Sequence, residues 1–245
     1  MAKVLLAIPN VGDAAVELTT SVLNIIKESS ASHDILWRPH KGKCNEHAYM
    51  CIANNLRESD CDYLLQIDAD NPPLRNPLEL IDLDKDIISC PTPTWKFVKD
   101  VETSPIQWNA YEWVPEKQEH ISIAPGDGLQ EVDAVGAGCV LIHRRVFMDP
   151  LMRREAWHRR WREDNGTCWM GLDLAFCQRA RTLGFKVFAH WGYPCSHFNR
   201  VDLLQVQEGF KQWVAFMDEN WKIKNGLLTR REEAEEEELV EKWTK

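Results

Sequence analysis

Asp62-Tyr-Leu-Leu-Gln-Ile-Asp-Ala-Asp-Asn-Pro-Pro73 runs an apolar strand straight into two acids one residue apart and then into a pair of prolines. Side chains alternate along an extended chain, so acids at positions 68 and 70 are expected to point the same way and to converge on one hard cation. Prolines 72 and 73 carry no backbone N–H and stop the strand. Open α/β sheets bind ligands at the carboxyl ends of their strands, which makes Asp68 and Asp70 the expected centre of a site. The competing reading of this segment alone is an exposed Asx-rich turn.

The flanking sequence supplies the rest of such a sheet. Residues 3–8 (KVLLAI) read as a buried strand, followed by Leu18, Val22, Ile25 and Ile26 at the spacing of a one-faced helix. A strand near 34–38 and a helical face of Tyr49, Ile52, Ala53 and Leu56 repeat the pattern. Residues 62–67 and Asp86–Cys90 read as the next strands. Alternating strands and helices imply right-handed crossovers and a mostly parallel central sheet flanked by helices. Residues 95–130 break the pattern with tryptophans, prolines and the turn Pro125-Gly-Asp-Gly128, giving irregular strands and loops. Glu131 to Arg144 returns as a buried strand with glycines at 136 and 138. A helix from about 144 to 163, a second over 172–182, a short strand 186–189 and a helix 201–221 complete the body.

At 245 residues and 44% hydrophobic, the chain is large enough for one sizeable core. The expected organisation is one domain over 1–228, in two halves, 1–90 and 91–228. The glutamate-rich 229–245 forms a charged tail. The amino-terminal apolar run is broken at Pro9 and is neither a signal peptide nor a span. No stretch approaches the roughly 18 apolar residues of a transmembrane helix, so a cytoplasmic protein with no membrane partner is expected. Eight cysteines form no C-x-x-C pair, which argues against a zinc site or a disulfide framework. A net charge of -9 argues against a general polyanion binder, though not against a local basic surface.

Three further segments join the acid pair: the strand VGAGCVLI at 135–142, Trp169-Met-Gly-Leu-Asp-Leu-Ala-Phe-Cys-Gln-Arg-Ala-Arg181 followed by Leu183-Gly-Phe-Lys-Val-Phe188, and Pro194-Cys-Ser-His197. In this order, over roughly residues 3 to 200, the chain resembles nucleotide-sugar glycosyltransferases of the GT-A fold, particularly the family 2-like enzymes. The resemblance implies a Rossmann-like α/β fold with a smaller mixed-strand acceptor region. It implies an enzyme, a metal-dependent and inverting glycosyltransferase, with a UDP-sugar favoured as donor and Mn²⁺ or Mg²⁺ as cofactor. Asp68-Ala69-Asp70 matches the DxD motif that meets donor ribose and metal-bound diphosphate. Asp68, Asp70 and His197 match the metal ligands, a mixed carboxylate and imidazole set that suits Mn²⁺. Asp173 matches the base that deprotonates the acceptor hydroxyl. The first strand-to-helix turn, Pro9, Asn10, Val11 and Gly12, matches the cradle for the nucleotide base. One position departs from the pattern: Leu172 stands where the family commonly has Glu, which leaves acceptor recognition different, Glu163 or Asp164 as alternative bases, or a protein with little catalysis. Gly136 and Gly138 admit either close approach to a donor sugar or tight strand packing.

The segment Met148 to Arg162 concentrates five arginines in an acidic chain. On a helix, Arg154, His158 and Arg162 form one stripe beside Trp157 and Trp161. Either the tryptophans pack on the sheet and the arginines are solvated, or the stripe, with Trp169, is an acceptor surface suited to nucleic acid. Some phage enzymes of the resembled fold glycosylate hydroxymethylated bases in DNA, which makes such a base an acceptor to test. The alternatives are a non-catalytic sugar-nucleotide or glycan binding protein and a sugar nucleotidylyltransferase. The latter needs a basic, glycine-rich segment after the first strand, and residues 9–17 hold no Lys or Arg.

Overall fold

The structure is a computed structural model that describes residues 1–10, 16–41, 44–95, 106–161, 168–198, 211 and 214–215. Its first half follows the strand and helix periodicities. β1 (Lys3–Asn10) leads through α1 (Val16–Ser29) to β2 (Asp34–Lys41), then α2 (Asn45–Glu58) and β3 (Tyr63–Ile67). A 3₁₀ turn over Pro77–Leu83, capped by the Asn76 side chain on Leu78 N–H, precedes β4 (Ile87–Ser89). Alternation on β1 divides the core. Val4, Leu6 and Ile8 pack with Leu18, Val22 and Ile25 of α1 on one face, while Leu5 and Ala7 pack with Ala48, Ile52 and Leu56 of α2 on the other. Each fully buried Leu or Ile contributes about 1.5–3 kcal/mol of transfer free energy. Every residue of β3 is buried, as a central strand covered on both faces requires.

The second half is less regular. Short strands follow: β5 (Pro93–Trp95), β6 (Ile106–Trp108), β7 (Ala110–Val114), β8 (Glu119–Ser122), β9 (Leu129–Val132), β10 (Ala134–Val135) and β11 (Cys139–His143). The stretch expected as one strand over 131–144 is therefore three. The ladder breaks at Gly136–Gly138, and β9, β10 and β11 join different neighbours. Then come α3 (Arg144–Met148), α4 (Pro150–Glu155), β12 (Arg160–Trp161), β13 (Cys168–Met170), α5 (Leu172–Thr182) and β14 (Val187–His190).

The main sheet has the order β2-β1-β3-β11-β4-β14-β9. It is mixed where a mostly parallel sheet was expected. Three pairings are parallel (β1/β2, β1/β3, β4/β14) and three antiparallel (β3/β11, β11/β4, β14/β9). The reversal comes from β11, which inserts between β3 and β4 in the opposite direction, and from β9 at the edge. The expected helix over 144–163 is also broken. Pro150 starts a new helix that Asp149 caps through Leu151 N–H at 2.8 Å, and that helix ends at Glu155 with Ala156 as its cap. The expected helix 201–221 and the tail lie outside the described residues, apart from residues 211, 214 and 215, which are helical.

The chain divides into one unit of Met1–Thr94 with Gln107–Asn199 and a second of Trp95–Ile106 with Arg200–Lys245. The features below belong to the first. Among the described residues, no helix is long and apolar enough to cross a membrane.

Candidate active site at the carboxyl end of β3

β3 ends at Ile67 and the chain turns at once, with Asn71 N–H donating to the Asp68 carbonyl at 3.1 Å. This turn separates the acids that strand alternation would have aligned, and each finds its own partner. Asp68 Oδ1 accepts from the Tyr49 hydroxyl of α2 at 2.7 Å, while Asp70 Oδ2 lies 3.5 Å from His197 Nε2. Their backbone is fixed more firmly than a surface Asx turn would be. Asp68 N–H donates to the Gly138 carbonyl at 2.7 Å, carrying the β3/β11 ladder one residue past the strand.

His197 reaches Asp70 because the segment after β14 runs antiparallel to the turn. Ser196 N–H donates to Pro72 O at 3.0 Å and Phe198 N–H to Asp70 O at 2.9 Å, with Leu74 N–H returning to Pro194 O at 3.1 Å. The prolines that cannot donate still accept, so they end the strand and hold its neighbour at the same time. His197 Nδ1 lies 2.9 Å from the Pro93 carbonyl. A carbonyl only accepts, so Nδ1 carries the hydrogen, and Nε2 faces Asp70: the protonated ring donates to that carboxylate, and the neutral ring offers a lone pair there, as a ligating histidine does. The hydrogen bond to Asp70 raises the His197 pKa above its ordinary value, against the opposing effect of burial.

A third acid joins them. Asp173 lies in the first turn of α5, where its Oδ1 accepts Leu174 N–H at 3.0 Å. Burial pushes its pKa up, opposed by backbone N–H donors of Leu174, Asp173 and Ala137 and by the charge of Arg159. Burial likewise pushes Asp68 up to about 8, with the Tyr49 hydrogen bond opposing and the charges of Asp70 and Asp173 adding. The phenol of Tyr49 is raised by burial and by Asp68, Asp173 and Asp70, and that of Tyr111 to about 12 by burial and Asp173. Three carboxylates, two tyrosines and one imidazole thus share a single electrostatic neighbourhood.

Among the described residues, the ligand atoms of Asp68, Asp70 and His197 do not all lie within 4.8 Å of one another, and the pair that suits a divalent cation is Asp70 with His197. Donors 3.5 Å apart on Asp70 and His197 can both reach one ion at about 2.1 Å. Asp68, protonated near neutral pH only because it is crowded and buried, would regain its charge beside one. Gln66, one step below Asp68 on the same strand face, is fully buried, and neither atom of its amide has a hydrogen-bond partner. This polar floor is unusual in a central strand.

The other expected site residues are placed as follows. Pro9 is buried and Asn10 ends β1, at the carboxyl edge that also carries Asp68. Val11 and Gly12 lie outside the described residues. Ala69 packs against the core beneath the turn. Leu172 is buried in the core, so a carboxylate is missing there because the position faces inward. Trp169 belongs to β13. Arg154 and His158 are exposed but share no helix, since α4 ends between them, and Arg162, Glu163 and Asp164 lie outside the described residues. Trp157 is 1% exposed and stacks on Phe176 at 4.1 Å with an 11° tilt, so it is a core ring and no platform for bases. Arg153, Arg154, His158, Arg159 and Arg160 are all exposed and form a basic surface.

Gly136 and Gly138 serve packing. A Cβ on Gly136 would stand 2.5 Å from Asn109 Nδ2, and one on Gly138 would overlap Asn71 Oδ1. Asn71, 5% exposed, turns its side-chain amide toward the Ser196 carbonyl at 3.5 Å. It therefore links the turn to the segment that carries His197. Sequence reasoning missed Asn71 and Tyr49 as site residues. Asn71 follows the acids directly, but only its burial separates it from an ordinary turn asparagine. Tyr49 was read as part of an apolar helical face, and its hydroxyl found Asp68 through the packing of α2 on the sheet.

No family model and no curated protein matches this sequence. Among solved structures, the chain is similar to the crystal structure of A197 from STIV, at 15% identity and a TM-score of 0.52, covering 81% of this chain and 86% of that one. This likeness shows a shared fold. Lower similarity extends to GalNAc-T7 with UDP, GalNAc and Mn²⁺ (9% identity, TM-score 0.41, 82% of this chain and 44% of that one). It extends also to the bifunctional IspDF from Campylobacter jejuni (10% identity, TM-score 0.35, 77% and 49%).

Proposed function

We propose that the protein is a metal-dependent, inverting glycosyltransferase that moves a sugar, hexosyl or related, from a nucleotide-sugar, UDP-sugar first among candidates, to an acceptor hydroxyl. The observation that carries this reading is the pairing of Asp70 with His197 next to Asp68 at the carboxyl end of a central strand, where the charge of Asp173 also acts on Asp68, a place suited to a diphosphate and its cation. Asp70 and His197, with Asp68, would hold Mn²⁺ or Mg²⁺, which when bound neutralises charge on the leaving nucleoside diphosphate. Pro9 and Asn10 at the end of β1 would border the nucleotide base, and Ala69 would bring its backbone to the ribose. Asp173 takes the proton of the acceptor hydroxyl as that oxygen bonds to the anomeric carbon from the face opposite the departing diphosphate. A carboxylate raised toward neutrality by burial is a stronger base than an exposed one.

The exposed Arg153, Arg154, Arg159 and Arg160 favour an anionic acceptor, because the charge of Arg159 reaches Asp173. A hydroxymethylated base in DNA remains an acceptor of that kind, bound through its phosphates, since Trp157 is withdrawn from the surface. The buried Leu172 favours a second reading, a sugar-nucleotide binding protein without catalysis.

Thermal-shift measurements with UDP, GDP, CDP and dTDP, each with Mn²⁺ or EDTA, test the donor site. A ligand at about 100 times its dissociation constant adds about 2.7 kcal/mol, a midpoint rise of several degrees. The rise should need both Mn²⁺ and Asp70; no rise with any nucleotide removes the proposal. Hydrolysis of the matching nucleotide-sugar that Asp173→Asn abolishes separates enzyme from binding protein.

A further inference from the structure

A second cluster of ligating side chains lies where the carboxyl end of β2 meets the first half of α2. His40, His47 and Cys51 bring an imidazole nitrogen, a second imidazole nitrogen and a thiol within 4.8 Å of one another. His47 and Cys51 are four residues apart on α2, hence on one helical stripe, and His47 Nε2 stands 3.7 Å from Cys51 Sγ. The rings of His40 and His47 are 6.2 Å apart, tilted by 42°. His40 Nε2 is shielded from solvent and has no hydrogen-bond partner. A polar ring nitrogen so placed costs free energy, and in the tautomer that leaves its lone pair free a cation in the cluster would satisfy it.

We propose that His40, His47 and Cys51 form a zinc site, separate from the carboxylate centre. Two imidazoles and a thiolate are the donors Zn²⁺ takes, and neighbouring N and S ligands of a tetrahedral ion stand about 3.5 Å apart, close to the spacing already present. The set is too soft for Mg²⁺ and poor for Mn²⁺, whereas the Asp70 and His197 centre is rich in oxygen. Three protein ligands leave the fourth position to water. Binding releases the thiol proton of Cys51 to solvent. The ion pins β2 to α2, and Tyr49, two residues from both ligands of that helix, projects from another side of it onto Asp68. The site thereby steadies the helix that partners the first acid of the other centre.

The site escapes a search for paired cysteines because two of its ligands are histidines and one comes from a different element. A second thiol group, Cys90, Cys139 and Cys195, is fully inside the core and supplies the control.

The test uses the full chain, freed of metal and titrated with Zn²⁺ and, for a spectroscopic signature, with Co²⁺. One equivalent of Zn²⁺ should bind and raise the thermal midpoint. Co²⁺ should give thiolate charge-transfer absorption with the intense visible bands of a tetrahedral ion. His47→Gln, at an exposed position, and Cys51→Ser should each weaken Zn²⁺ binding by more than about a hundredfold, and Cys51→Ser should abolish the charge-transfer band. Asp70→Ala should leave both signals in place. Zn²⁺ affinity unchanged in His47→Gln and Cys51→Ser overturns the site, as does charge-transfer absorption that survives Cys51→Ser and disappears in Cys195→Ser. Failure of the wild type to bind one equivalent also overturns it, without touching the nucleotide reading, which rests on Mn²⁺ and Asp70.

Discussion

The acids that follow β3 and the basic segment that begins at Arg144 are both dense in charge and both tied in by backbone hydrogen bonds, yet only the acids turn their side chains to partners within a site. Asp68 and Asp70 hang from a ladder that joins β3, β11 and the segment carrying His197, so their side chains hold fixed places. Arg153, Arg154, Arg159 and Arg160 stand exposed on a chain whose helix ends at Glu155, and the apolar Trp157 anchors that stretch. One charged region is positioned by the fold; the other is displayed on a scaffold that a buried ring holds down.

The largest effect expected from breaking this contrast is on stability. Trp157→Ala removes the ring that stacks on Phe176 and meets Tyr49 edge-on at 4.9 Å, so chemical denaturation should show a loss of about 3–5 kcal/mol. At the acid centre the expected loss is functional. Asp70→Ala and His197→Ala should each weaken Mn²⁺-dependent nucleotide binding by about a hundredfold or more in calorimetry, with little change in the melting midpoint of the metal-free protein. Gly138→Ala links the two kinds of effect. The added methyl overlaps Asn71, costs about 1–3 kcal/mol, and should also weaken nucleotide binding by disturbing the turn that faces His197.

Smaller again is a pH effect with a definite sign. Asp68 holds its proton to about pH 8 in the fold, whereas an unfolded carboxylate loses it near 3.8. Between those values the native state binds more protons than the unfolded chain, so metal-free stability should fall as pH rises through the window and level off above pH 8. Asp68→Asn should flatten that slope in EDTA. Proton competition also predicts tighter Mn²⁺ binding at pH 8.5 than at pH 6; the opposite trend would remove Asp68 and His197 from the ligand set. Arg154→Glu should move stability by no more than about 0.5 kcal/mol, because its ion pair among the described residues is an exposed one with the adjacent Glu155. If duplex DNA binds this surface, the same change combined with Arg159→Glu should weaken that binding and reduce its salt dependence.

Much of the framework was legible in the sequence. The strands around α1 and α2, the buried faces of those two helices, and the whole extent of α5 were legible, because sheet and helix each bury one repeating set of positions. Acids after an apolar strand are a local pattern, and that singled out Asp68 and Asp70; Asp173 and His197 came from the resemblance to glycosyltransferase motifs. The sequence could not reveal the antiparallel insertion of β11, because a buried strand has the same composition in either direction. Nor could it reveal the break in the basic helix, where the apolar demand of Trp157 and the cap at Asp149 outweighed the charge pattern.

Tertiary structure alone decided the pairings between distant residues: Tyr49 with Asp68, Asp70 with His197, Asn71 with Gly138, and His40 with His47 and Cys51. A single chain's periodicity says which face of an element is buried. It does not say which polar group waits on the neighbouring element, because hydrogen bonds and metal ligation depend on positions to within a fraction of an ångström that only the packed sheet and helices define.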